Sequence, residues 1–316
     1  MAKTWDELIE ELQSGSVLAL SKLITRVESR ELGWMDAMQK IYSLTGNARL
    51  IGITGSPGTG KSTLTGQIAQ ILVADHKKVG IIAVDPSSPF SGGAILGDRV
   101  RMTDISDLPD VFVRSMATRG ALGGLNQSAR DVAKIMDAFG KDYILIETVG
   151  VGQDEVEVVR TADLVIVVCI PGQGDGIQAI KAGVMEIADL FVVNKADLNG
   201  ADQVVADIQS MLDLGLETTA PTIFKTVATK GEGIQETVNE ALAKLQKQNR
   251  KESWIEERIK EELIGLVSKE IVDIIKSNWN RNGELDVAIK QIKEGKNNPY
   301  SVAKKTLAPL VDAFEK

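Results

Sequence analysis

The chain changes hydrophobic rhythm twice. Over residues 1–47 the apolar positions Leu8, Leu12, Val17, Leu18, Leu20, Leu23, Ile24 and Val27 recur at mixed three- and four-residue steps with charges between them. That spacing lines one face of an α-helix. Gly15 and Gly33 punctuate the segment, which predicts a helical extension packed on a larger body, without chemistry of its own. From Arg49 short apolar runs alternate with helical stretches. Residues 50–54, 79–84, 111–113, 143–146, 164–170, 190–193 and 222–226 have strand length and β-branched content. Most are apolar throughout, which fits strands covered on both faces by helices. Helical patterns fill 61–76, 127–139, 175–187, 201–213 and 233–248. The prediction is an α/β fold, a doubly wound and mostly parallel sheet over residues 48–248.

The second change comes after Gln248. Residues 249–316 form a predicted helical arm whose stripe runs through Trp254, Ile255, Ile259, Leu263, Leu266, Val267, Ile271, Ile274, Ile275 and Trp279. Pro299 and Pro309 are expected to interrupt it. An amphipathic helix of this kind needs a surface to lie against, either its own domain or a second copy of the chain.

Composition narrows the function classes. The 316 residues are 43% hydrophobic and 25% charged, with a formal net charge of -8. That acidic balance argues against nucleic acid as a partner and against a polybasic membrane anchor. No apolar run approaches the ~18 residues of a membrane span. The first residues lack the basic-then-apolar layout of a signal peptide, so a cytoplasmic protein is expected. A single cysteine, Cys169, rules out an internal disulfide and reads as a buried strand thiol.

The chemistry begins at Gly55-Ser56-Pro57-Gly58-Thr59-Gly60-Lys61-Ser62-Thr63, where the first eight residues match G-x-x-x-x-G-K-[ST] in full. A predicted strand precedes the motif and a predicted helix follows it, the context a phosphate-binding loop requires. The glycines let backbone N–H groups converge on phosphates, and the helix N-terminus adds partial positive charge. Lys61 is positioned to bridge the β- and γ-phosphates, and the Ser62 hydroxyl to ligate Mg²⁺. Ser56 occupies the position where one variant of this loop carries a second lysine.

Three carboxylates are candidates for metal and catalytic water. Glu147 ends the apolar strand 143–146, beside where the phosphates would lie, and Gly150 leaves room for a backbone N–H at the γ-phosphate. Glu147 stands where GTPases usually carry Asp, and its extra methylene favours reach through a water. Asp85 ends the strand 79–84, and Asp98 lies in a glycine-rich loop that nucleotide binding would order.

A further strand, 190–193, leads into Asn194-Lys195-Ala196-Asp197, the N-K-x-D pattern of guanine recognition. A carboxylate at Asp197 accepts from the guanine ring N–H and the exocyclic amine together, a pair adenine lacks. Such a bidentate contact discriminates by about 1–3 kcal/mol or more when buried. Asn194 would hold the loop and reach another base edge, and Lys195 would lie over the ring. Residues 226–229 would offer a backbone N–H, that of Ala228, to the guanine carbonyl. The nucleotide is therefore expected to be GTP or GDP.

Between these motifs, Val84-Asp-Pro-Ser-Ser-Pro89, Gly92-Gly-Ala-Ile-Leu-Gly-Asp98, Glu147-Thr-Val-Gly-Val-Gly-Gln153 and Pro171-Gly-Gln-Gly-Asp175 closely resemble the MeaB/ArgK-type GTPases. These are G-protein chaperones of adenosylcobalamin-dependent acyl-CoA mutases, of the SIMIBI class. The resemblance covers about residues 16–235. It implies a homodimeric switch protein that binds such a mutase and gates its cofactor loading through a GTP cycle. It places Lys61 and Ser62 on phosphate and magnesium, and Asp85, Asp98 and Glu147 around the metal and water. Asn194 and Asp197 fall on the guanine site, and residues 172–180 on the loop that couples nucleotide state to the partner. Relatives that deliver nickel usually carry His- or Cys-rich stretches, whereas this chain has one His and one Cys.

No glutamine directly follows Gly150 to orient a water, so slow intrinsic hydrolysis is expected, with the partner completing the site. The alternative is a phosphotransferase linked to arginine/ornithine transport, a description also attached to the family. It would need an acceptor pocket with a general base, for which the sequence carries no signature.

Overall fold

The computed structural model describes residues 3–85, 105, 108–117, 124–148, 162–172, 188–213, 221–247 and 252–314. Asp98, Gly150, Gln153 and the helix expected over 175–187 lie outside them. The chain divides into two compact units, Met1–Lys251 and Glu252–Lys316.

In the first unit three helices come first: α1 (Trp5–Gln13), α2 (Val17–Glu28) and α3 (Trp34–Tyr42). A capping box starts α1. Thr4 Oγ1 accepts from the Glu7 N–H at 3.3 Å and the Glu7 carboxylate accepts from the Thr4 N–H at 2.7 Å, satisfying two otherwise orphaned donors. Gly15 and Gly33 do separate the helices, both at positive φ.

The rest of the unit is β1 (Arg49–Gly55), α4 (Lys61–Ala74), β2 (Val79–Asp85), β3 (Val111–Ala117), α5 (Gly124–Ala138), β4 (Tyr143–Glu147), β5 (Leu164–Cys169), β6 (Leu190–Val193), α6 (Ala201–Leu212), β7 (Thr222–Lys225), a 3₁₀ turn Ala228–Lys230 and α7 (Ile234–Lys247). The seven strands form one parallel sheet in the order β3-β2-β4-β1-β5-β6-β7. This is the expected doubly wound α/β fold. The chain leaves β1 for β2 on one side and later enters β5 on the other, so the carboxyl end of β1 is a topological switch point, where such sheets bind ligands.

Period-two alternation divides the strands between two cores. Ile82 and Val84, Ile144 and Ile146, and Val165 and Val167 pack with α1, α2, α3, α5 and α6. Ile51 and Ile53, Ile81, Leu145, and Ile166 and Val168 pack with α4 and α7. Each fully buried Leu or Ile contributes about 1.5–3 kcal/mol relative to exposure. The N-terminal helices are therefore part of the first core. Asp137 on α5 secures their exit, its carboxylate accepting from the N–H groups of Gly46, Asn47 and Ala48 at 2.6, 3.2 and 2.9 Å.

At the amino end of the sheet three aspartates clamp neighbouring backbone. Asp163 donates its N–H to Leu50 O at 2.7 Å and accepts from Leu50 N at 2.9 Å. Asp189 does the same with Val165, and Asp142 with Lys78. Each carboxylate satisfies a backbone donor that the strand ladder leaves over.

The strand β3 runs beyond the expected 111–113 because it lies at the sheet edge. There Arg114 meets Glu28 and Thr25 of α2, so polar residues fit a half-covered position.

In the second unit α8 (Glu252–Asn282), α9 (Glu284–Lys293) and α10 (Pro299–Phe314) follow one another. Pro299 falls at an interruption of the arm as expected, whereas Pro309 does not break its helix. Asn298 Oδ1 accepts from Ser301 N at 3.0 Å, so Pro299 opens α10 at a position where its missing N–H costs nothing. Pro309 lies inside α10. Ile259, Leu263, Ile264, Val267, Val272 and Ile274 of α8 are exposed. Among the described residues no helix is long and apolar enough to cross a membrane.

Candidate functional site

The carboxyl ends of β1, β4, β6 and β7 bring the predicted motifs together. β1 ends at Gly55, whose φ is +151° and where a Cβ would sit 2.2 Å from Val168 O of the neighbouring strand. Only glycine fits there. The loop then turns through Ser56, Pro57 and Gly58. Thr59 is buried, with its hydroxyl donating to Ser56 O at 2.9 Å. Gly60, at φ +90°, caps α4.

Lys61 is 6% exposed, and its ammonium lies within the loop, donating to Gly55 O at 2.8 Å and Ser56 O at 3.0 Å. Ser62 stands in the first turn of α4 and Thr63 beside it is exposed. The Ser62 hydroxyl donates to Glu147 Oε1 at 2.5 Å, joining the start of α4 to the end of β4. Behind this pair Thr148 Oγ1 donates to Thr54 Oγ1 at 3.0 Å, both residues buried. For Asp85 the structure describes the backbone, the last position of β2.

Asn194 is 2% exposed and ties three segments. Its Nδ2 donates to Thr59 O in the phosphate loop at 2.8 Å. Its Oδ1 accepts from the Thr226 hydroxyl at 3.1 Å and from the Ala228 N–H at 3.0 Å. The Ala228 N–H is therefore directed at Asn194 in this arrangement. The tie explains Gly60 as well, because a Cβ there would lie 2.4 Å from Asn194 Nδ2.

Lys195 adds a second link, its Nζ donating to Gly58 O at 2.9 Å. Asp197 is half-exposed and faces Lys230 across 3.6 Å. Lys230 carries no sequence signature, for lysine in a polar turn gives no signal of its own.

The Ser62 and Glu147 oxygens meet as a compact hard-donor pair, the chemistry Mg²⁺ accepts when phosphates and waters complete its shell. Among the described residues no cluster of three or more His, Cys, Asp or Glu side chains offers a separate metal site. Cys169 is buried at the end of β5, and burial pushes its thiol up to about 12, so it takes no part as a thiolate.

A parallel sheet with a phosphate loop after β1 and an N-K-x-D loop after β6 defines the class of P-loop GTPases. The family model described as methylmalonyl-CoA mutase-associated GTPase MeaB matches residues 20–280. A Pyrococcus abyssi protein named as a GTPase is 45% identical over 314 residues, covering 97% of each chain. The mouse methylmalonic aciduria type A homolog, mitochondrial, is 35% identical over 252 residues, 73% of this chain and 60% of its own length. The crystal structure titled LAO/AO transport system kinase superposes with a TM-score of 0.70 at 26% identity, covering 100% of both chains. The chain belongs to the MeaB family of GTPases.

Proposed function

We propose that this GTPase is a nucleotide-driven chaperone of an adenosylcobalamin-dependent acyl-CoA mutase of the methylmalonyl-CoA type, gating cofactor loading and protecting the enzyme. The family description and the name of the mouse relative point to that client. The observation that carries the switch is the Ser62–Glu147 contact. It lies at the root of the segment that follows β4, which contains the glycine-rich residues 149–155.

In this reading Lys61 exchanges its loop carbonyls for the β- and γ-phosphate oxygens, a charge-assisted and therefore stronger set of bonds. The N–H groups at the start of α4 face the same phosphates. Ser62 and Glu147, with Asp85 at the end of β2 and the sequence-assigned Asp98, would hold Mg²⁺. Bound there, the ion would neutralise charge that develops on the phosphate oxygens. Asp197 reads the guanine edge, Lys195 covers the ring, and Asn194 keeps that loop in register with the phosphate loop. Loss of the γ-phosphate breaks contacts at Ser62 and Lys61 and thereby resets the segment after β4.

The exposed apolar side chains of α8 suit a second copy of the chain, and homodimerisation through residues 249–316 is part of the same proposal. A chain ending at residue 248 should be monomeric by light scattering and still bind GDP.

The central test measures GTP hydrolysis by the purified protein alone and with a purified adenosylcobalamin-dependent methylmalonyl-CoA mutase. Slow turnover alone, acceleration by the mutase, and a complex retained with a non-hydrolysable GTP analogue are the expected results. Fast turnover alone with no complex would sink the proposal. The kinase title of the similar crystal structure supports a second reading, phosphoryl transfer to an acceptor. With γ-labelled GTP, a labelled product other than phosphate would favour it.

A further inference from the structure

The carboxylate assigned to the guanine edge has a cation beside it. Lys230 Nζ lies 3.6 Å from Asp197 Oδ2, although the two residues sit in different loops. The backbones of those loops are cross-linked by Ala196 N to Thr226 O at 3.0 Å and by Ala228 N to Asn194 Oδ1 at 3.0 Å. Lys230 closes the 3₁₀ turn Ala228–Lys230 with its N–H on Val227 O at 2.8 Å, and Val227 pairs antiparallel with Glu232. The backbone that carries Lys230 is therefore fixed relative to the loop of Asp197. The other nearby lysine, Lys195, directs its ammonium to Gly58 O and is committed to the phosphate loop.

A carboxylate offers about four lone-pair directions on its two oxygens. A guanine edge uses one on each oxygen, for the ring N–H and the exocyclic amine. At 3.6 Å the ammonium forms an ion pair with Oδ2 without taking up either of those directions, and its charge on one side biases how the carboxylate turns. We propose that Lys230 is a positioning residue for purine selection. It holds the Asp197 carboxylate with both oxygens toward the base. The site then favours purines that carry an amine beside the ring N–H over those that carry the ring N–H alone. The inference rests on the assignment of Asp197 to the guanine edge. Because both side chains are half-exposed, the expected effect is modest and falls with salt.

The experiment compares GDP and inosine diphosphate, which lacks the exocyclic amine, as ligands of the full chain by calorimetry at low and high salt. Four proteins are used: wild type, Lys230→Ala, Lys230→Arg and Asp197→Ala. Asp197→Ala should bring the two affinities together, which tests the assignment itself. Lys230→Ala should narrow the GDP preference about two- to fivefold at low salt, chiefly by weakening GDP, with Lys230→Arg restoring it. If Lys230→Ala weakens both ligands equally, or keeps the wild-type ratio while Asp197→Ala collapses it, the positioning role is overturned. If Asp197→Ala itself leaves the ratio unchanged, the assignment of Asp197 falls and the inference falls with it.

Discussion

Asn194→Asp isolates one atom of the tie between the base loop and the phosphate loop. The substitution keeps the shape of the side chain and an oxygen to accept from Thr226 and Ala228. It removes the Nδ2 donor and places a carboxylate oxygen where the amide now lies 2.8 Å from Thr59 O. Thr59 is buried, so its carbonyl loses its partner and faces an anion. A buried acceptor left unsatisfied costs about 1–3 kcal/mol, and the added repulsion brings the expected loss to about 2–4 kcal/mol. Because the tie joins both halves of the nucleotide site, the loss should appear twice. The denaturant midpoint should fall, and GDP affinity should drop at least tenfold, since about 1.4 kcal/mol corresponds to a factor of ten. Guanidinium unfolding and fluorescent-GDP titration of the same preparations read the two quantities. A variant with both the wild-type midpoint and the wild-type GDP affinity would refute the argument that this contact aligns the site. Asp197→Ala is the control, expected to weaken GDP while leaving the midpoint unchanged.

Other substitutions test neighbouring steps of the reasoning. Gly60→Ala forces a side chain into φ +90° and against Asn194, so about 2 kcal/mol of stability and much of the GDP affinity should be lost, measured by the same pair of assays. Glu147→Gln preserves size but removes the charge beside Ser62; hydrolysis should slow at least tenfold and its Mg²⁺ requirement should shift upward, while GDP binding without magnesium stays near wild type. Lys141 is buried, and burial lowers its pKa from 10.5 to about 8. Between those values the unfolded chain holds the Lys141 proton and the folded chain does not, so this group's contribution should rise with pH from 8, by up to about 3 kcal/mol, opposed above about pH 9 by the raised Cys169 thiol. Lys141→Met should flatten that rise in unfolding measurements at stepped pH, whatever its effect on absolute stability.

The sheet was legible because its strands are buried on both faces, so runs such as Leu164–Cys169 and Leu190–Val193 are apolar without interruption. The phosphate loop was legible because its geometry demands particular residue types: glycine at 55 where a neighbouring carbonyl crowds the backbone, glycine at 60 where Asn194 approaches. Edge strand β3 was read short because half-exposed positions admit Arg114 and Ser115, which break the apolar signal. The strand-clamping aspartates are less legible, although Ala162-Asp163-Leu164 and Ala188-Asp189-Leu190 repeat the same triplet at the same structural position. Isolated aspartates before strands read as turn residues until the neighbouring backbone is in view. Asn194 is expected to hold the loop and reach a base edge, but the partners through which it holds the loop, Thr59, Thr226 and Ala228, come from segments far apart in sequence. Pairings of that kind have no local period to read.

The clasp that Asp137 makes on residues 46–48 has a practical consequence. It grips the chain just before β1, at the end of the central strand opposite the phosphate loop. A tug on the N-terminal helices therefore meets α5 first, at the end of the sheet away from the phosphate loop. A fluorescent reporter or surface tether attached ahead of α1 should leave GTP hydrolysis at its native pace, which makes that end the natural handle for single-molecule work.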